Sequence, residues 1–123
     1  MAYITDRKRA VGLGSAKTGT EHHWRMQVSS YALLILVPLF LLTFGTMVGE
    51  SHADVLAHFS RPFPAIVTAL MLVVGFDHFR HGVTVLIEDY TQGGTRKFLI
   101  IAMICVSYGA MATGLFALVR LAL

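Results

Sequence analysis

The stretch PAIVTALMLVVGFDHFRHGVTVLIEDY, residues 64–90, decides the fold. It is apolar through Phe76, then places Asp77, His78, Arg80 and His81 within five residues. It turns apolar again and stops at Glu88, Asp89 and Tyr90. A hydrocarbon core of about 30 Å takes roughly 20 helical residues to cross, and the run from about Ala65 to Ile87 is long enough. Two further runs, about Val28 to Val48 and Phe98 to Leu121, meet the same condition. The expected fold class is therefore an all-α membrane protein with three transmembrane helices.

The composition agrees. The chain has 123 residues, of which 55% are hydrophobic and only 14% charged, which lies outside the range of soluble domains. The connections 49–64 and 88–97 are too short to hold a further domain. The organisation is an N-terminal arm, residues 1–27, followed by a membrane anchor domain, residues 28–123. The first apolar run exceeds the h-region of about 7 to 15 residues found in cleaved signals, so it reads as a span. The arm lacks the Arg/Ser bias of an organelle transit peptide, which favours a bacterial protein.

Arg7, Lys8, Arg9, Lys17 and Arg25 precede the first span, and Arg96 and Lys97 lie between the second and third. Arg61 and Arg120 fall on the other side. The positive-inside rule then puts the N-terminus and second loop in the cytoplasm and the C-terminus outside, in the periplasm of a bacterial inner membrane. Asp89 and Tyr90 emerge at the cytoplasmic face. This topology accounts for the net charge of +3 without nucleic acid. GLGSAKTG, residues 12–19, lacks the Walker spacing and a preceding strand, so it reads as a flexible arm.

Other features have plain readings. Pro38 sits inside the first span, where neighbouring groups resatisfy the freed backbone. Val55, Leu56 and Phe59 share one side of a short interfacial helix, and His52 and His58 read as solvated. Cys105 alone makes neither a disulfide nor a thiolate metal site; it is a lipid-facing or packing residue. Gly109 with Thr113 and Ala110 with Gly114 allow close helix approach. Several such faces on so small a chain predict partner helices in a larger heteromeric bundle.

The polar cluster asks for an explanation, because a charge at mid-bilayer costs about 2.5 to 3.5 kcal/mol on insertion scales. Asp77 precedes Arg80 by three residues and His81 by four, so it can bridge to either on one flank. His78, Gly82 and Asp89 fall within about 40° of one another on a helical wheel. His78 lies about 16 Å from Asp89, near mid-bilayer. Two readings of His78 stand: a buried hydrogen-bonded histidine, or an axial haem ligand with the macrocycle over Gly82. His78 and His81 are too close in sequence to flank one iron, so a bis-histidine site needs a histidine from another polypeptide. Tyr90 and Asp89 read either as an interfacial anchor or as a hydrogen-bonding site for a lipid-soluble ligand.

The pattern His78-x-x-x-Gly82 followed by Asp89-Tyr90, in a second span ending VLIEDY, resembles the small hydrophobic membrane anchor subunit of succinate dehydrogenase. GLGSAKTGTEHHW before the first span is similar to its alphaproteobacterial branch. The resemblance covers nearly the whole chain. It implies a non-flavin subunit of succinate:ubiquinone oxidoreductase, with no activity on its own. His78 would be the axial ligand to the iron of haem b, the other ligand coming from the second anchor polypeptide, of the cytochrome b556 type. Tyr90 would hydrogen-bond a ubiquinone carbonyl, with Asp89 beside it. The flavoprotein and iron–sulfur subunits would be the remaining partners. The family often has Gln-Arg then Thr-Ala where this chain reads WRMQVSSYA, with Gln27 in the arginine's place; Arg25, His81 or Arg80 would then meet the haem propionates. Without the resemblance, the rival readings are a small transporter or proton-relay subunit using Asp77, His78, Arg80 and His81, and a structural anchor without haem.

Overall fold

The computed structural model describes residues 4–12 and 20–123. Most of the GLGSAKTG segment, residues 13–19, lies outside the described residues. Among them there is no strand, and three helices are long and apolar enough to cross a membrane.

A short helix α1 (Asp6–Val11) starts on Thr5, whose hydroxyl accepts the Lys8 N–H at 3.3 Å. The first long helix, α2 (Glu21–Thr43), begins seven residues before the apolar stretch. Polar as it is, the segment EHHWRMQ holds a helical turn through the Glu21–Arg25 ion pair at 2.7 Å, four residues apart. Helix α2 runs through Pro38 and ends in a 3₁₀ turn, Gly45–Met47. There the Thr43 and Thr46 hydroxyls donate back to Leu39 and Thr43 carbonyls, so neither is left bare.

The expected short helix is α3 (His52–Phe59), capped by Ser51. Its apolar side holds: Phe59 is 2% exposed and meets the Phe44 ring at 6.0 Å. His52 is exposed, but His58 is only half-exposed. It stands edge-on to Phe59 at 5.3 Å, because an interfacial helix of two turns does not keep every polar residue in water.

Helix α4 (Pro62–Tyr90) begins with proline at its first position, where the missing N–H costs nothing. At 29 residues it is about 43 Å long, so its ends stand beyond the hydrocarbon. Thr91 and Gln92 turn the chain into α5 (Gly93–Ala122). Gly93 has φ +65°, the left-handed region that a side chain resists, and this lets the reversal be tight. Glu88 and Arg96 pair across the turn at 3.3 Å.

The three long helices lie side by side with α4 in the middle. It packs against α2 on one flank and α5 on the other, while among the described residues no Cα of α2 comes within 8 Å of one in α5. Gly114 makes the second contact close: a Cβ there would stand 3.2 Å from both Leu72 methyls. Gly109 meets nothing, so of the two small-residue pairs only the one ending at Gly114 serves this chain's own packing. Cys105 is exposed, the lipid-facing of its two readings.

Such a layer buries little. The buried hydrophobic residues are Phe59, Val67, Ile87 and Leu118, and the accessible surface is 9370 Å². A compact monomer of this mass would show about 6,500 Å². The apolar surface is left for lipid and for other helices.

Candidate functional site

The polar residues of α4 divide between two networks. In the first, the Arg80 guanidinium donates to Asp77 Oδ1 at 2.8 Å. His81 Nδ1 lies 2.8 Å from the Asp77 backbone carbonyl and 3.5 Å from its carboxylate. A carbonyl only accepts, so Nδ1 carries the proton, and Nε2 accepts from Arg80 at 3.2 Å. Asp77 thus reaches both partners that its spacing offered. The guanidinium also stands 5.5 Å from the centroid of the Tyr108 ring on α5, within cation–π range. Each charge in this stretch of span therefore has a partner on the same helix or the next.

His78 is outside that network. It is half-buried, and its Nδ1 lies 2.9 Å from Ser29 Oγ on α2. Gly82 faces the same helix: the nearest atom to a Cβ placed there would be Met26 Cε at 3.9 Å. The chain's own packing would accept a methyl group at that position, and no tight contact within the chain demands glycine. A relay through all four polar residues of α4 finds no support in this geometry, because His78 turns to α2 while the other three bond among themselves.

Beside His81 is a polar depression of about 200 Å³ lined by Glu21, His22, Arg25 and His81. The His22 and His81 rings are 5.1 Å apart. Arg25 also borders a larger, mostly apolar groove of about 400 Å³ between α2 and α4, with Trp24, Ser29 and Asp77. The start of α2 thus brings a cation to the end of the groove nearest His81. Of the residues expected at the propionates, Arg25 and His81 are neighbours, whereas Arg80 is committed to Asp77.

Asp89 and Tyr90 stand apart at the end of α4. Tyr90 is 83% exposed and Asp89 is exposed too. Neither has a side-chain partner among the described residues, whereas the adjacent Glu88 is paired with Arg96. Tyr90 and Asp89 are free to meet another molecule at the membrane surface.

Sequence reasoning did not find Ser29 or His22 as neighbours of the cluster. Ser29 is 49 residues from His78, and no local pattern relates them. The pair His22-His23 at the start of α2 was the available hint for the other. Among the described residues no three His, Cys, Asp or Glu side chains are placed to hold a metal ion together, so a metal held here would draw the rest of its ligands from elsewhere.

Residues 1–111 match the family model described as succinate dehydrogenase/fumarate reductase transmembrane subunit. A succinate dehydrogenase hydrophobic membrane anchor subunit of Paracoccus denitrificans is 49% identical over 123 residues, covering 100% of this chain and 95% of the relative. The protein of that name from Rickettsia bellii (strain RML369-C) is 33% identical over 97 residues, 77% of each chain. Its counterpart from Rickettsia conorii (strain ATCC VR-613 / Malish 7) is 25% identical over 103 residues, 80% of this chain and 81% of the relative. No solved structure gives a significant match. The chain belongs to the succinate dehydrogenase/fumarate reductase transmembrane subunit family, and its relatives within it are the hydrophobic membrane anchor subunits of the alphaproteobacterial type.

Proposed function

We propose that this anchor subunit holds one side of a haem b and forms part of the ubiquinone-reduction site of a succinate:ubiquinone oxidoreductase in the bacterial inner membrane. The observation that carries the reading is the state of His78. One ring nitrogen is held by Ser29, and the other has no partner among the described residues, midway along an apolar helix. A nitrogen left free in oil is costly unless something binds it.

The residues present fit a haem. His78 offers the nitrogen, Gly82 one turn later carries no side chain and meets only the flexible end of Met26, and Arg25, paired in this chain with the exposed Glu21, offers further donors beside His22 at the polar depression. When bound, haem b supplies a one-electron carrier. The second axial ligand would come from the cytochrome b556-type anchor polypeptide, as this chain contributes one histidine only.

Tyr90 would donate its hydroxyl hydrogen to a ubiquinone carbonyl, and Asp89 would orient the phenol or pass on protons. Reduction to ubiquinol takes two electrons and two protons, with electrons arriving from succinate through the flavoprotein and iron–sulfur subunits. The protein's part is position and hydrogen bonding. With the N-terminus cytoplasmic, Tyr90 faces the side where those two subunits would dock, which agrees with the distribution of Lys and Arg.

His78→Ala in the intact complex tests the ligand reading. The haem absorption bands should disappear or change to those of a singly ligated iron, while the subunits still co-purify. A spectrum identical to that of the unaltered complex would rule His78 out as the ligand.

A further inference from the structure

We propose that Ser29 is a positioning residue for His78: its hydroxyl accepts the Nδ1–H, which fixes the tautomer whose free Nε2 faces the iron. The inference rests on the haem reading above.

The direction of this hydrogen bond follows from what each group can do. Ser29 Oγ lies 2.9 Å from His78 Nδ1 and 2.9 Å from the Met26 carbonyl oxygen on its own helix. A hydroxyl has one hydrogen, and it goes to one of the two. The Met26 carbonyl does not decide which, since the Ser30 hydroxyl also donates to it at 2.8 Å. The far side of the ring decides. If Ser29 donated to Nδ1, the ring proton would sit on Nε2, which has no acceptor among the described residues. An orphaned N–H in a half-buried, apolar setting is the rarer and costlier defect. With the proton on Nδ1, every donor is used: Nδ1–H to Ser29, and Ser29 to Met26. What remains is a lone pair on Nε2, the state a metal needs.

The chemistry of the serine then bears on the iron. A ligating histidine commonly gives its second N–H to a carboxylate or carbonyl, which makes the ring a stronger donor. Serine is a weaker acceptor and itself donates to Met26. It holds the ring's rotation and tautomer and draws on the Nδ1 proton only weakly, enough to strengthen the ring as a donor. Ser29 also links α2 to α4 at the level of the ligand, so the packed register of the two helices is passed on to the ring orientation.

The test uses the whole complex in membranes, with Ser29→Ala, Ser29→Thr and His78→Ala compared by redox titration of the haem bands and by electron paramagnetic resonance of the oxidised iron. Ser29→Ala removes the acceptor, so the imidazole donates less and the ferric state is less favoured. Its midpoint potential should rise and its largest g-value should move, whereas Ser29→Thr keeps both near those of the unaltered complex. Loss of haem from Ser29→Ala alone, with all subunits still co-purifying, supports the same conclusion. The proposal is overturned if Ser29→Ala keeps haem with unchanged potential and g-values, or if the alanine and threonine variants behave alike. If His78→Ala leaves the haem untouched, the ligand reading itself has failed. If His78→Ala loses haem but Ser29→Ala is silent, only the positioning role has.

Discussion

Tyr90→Phe tests the proposed quinone site apart from the fold. The Tyr90 side chain is 83% exposed, and its hydroxyl makes no hydrogen bond among the described residues. Removing one oxygen there should change stability by no more than about 0.5 kcal/mol, the range for a surface position without partners. At the proposed quinone site the hydroxyl would be worth more. A carbonyl oxygen gains negative charge as it is reduced, and a hydrogen bond to a charged group contributes about 1.5 to 3 kcal/mol. With tenfold in rate for each 1.4 kcal/mol or so, kcat/KM for ubiquinone reduction should fall roughly ten- to hundredfold. The assay runs two reactions on one preparation: succinate with a soluble ubiquinone analogue, and succinate with an artificial dye acceptor that takes electrons before the membrane. The first should fall and the second hold. Quinone reduction within twofold of the unaltered complex would refute the hydrogen-bond role, and equal loss of both would point to failed assembly.

Two further predictions concern the fold that carries the site. Asp77→Ala or Arg80→Leu alone strands one charge of a pair 2.8 Å apart, while the double substitution removes both. Asp77 is 43% exposed in the isolated chain, so the coupling should be modest, about 1 kcal/mol. In a thermal melt of the purified complex the double variant should melt above at least one single variant; strictly additive losses would mean that the pair is not coupled. Gly114→Leu puts a large side chain where even a Cβ would stand 3.2 Å from the Leu72 methyls. Overpacking of this kind should cost about 1 to 3 kcal/mol. The same change at Gly109, where nothing lies within 4 Å in this chain, should be neutral for the α4–α5 contact, as measured by cross-linking cysteines across that pair.

The sequence was legible where its signals are local. Three apolar runs of the right length become three long helices, because hydropathy and length alone decide whether a segment is stable in lipid. Asp77 reaching Arg80 and His81 follows from the helical repeat. The side shared by Val55, Leu56 and Phe59 likewise becomes the inward side of α3, with Phe59 buried and the other two half-buried. What hydropathy did not carry is the start of α2 at Glu21, since a salt-bridged polar turn extends a helix without adding any apolar signal. Ser29 was out of reach for another reason. It meets His78 only because α2 and α4 run antiparallel in one register, and that register follows from packing along their whole length. The small residues of α5 were read as a set, yet Gly114 is used within the chain and Gly109 is not. Spacing along one helix does not say which neighbour it meets.

The layer geometry and the site share one incompleteness. With α4 between α2 and α5, the central helix has both flanks covered by its own chain, so the contacts of His78, Asp77, Arg80 and His81 are largely settled here. The outer faces of α2 and α5 have no such cover, and large residues along them, Leu34, Ile35, Leu41, Ile101 and Phe116, are each 60% or more exposed. Lipid tails can solvate Leu and Ile as well as protein does, so exposure alone does not require a partner. The same is not true of a lone ring nitrogen at mid-span, for which lipid offers no hydrogen-bond partner. The mid-span charges Asp77 and Arg80 thus pair within the chain, while His78 Nε2 is left without a partner among the described residues, which is the condition the proposed ligand role requires.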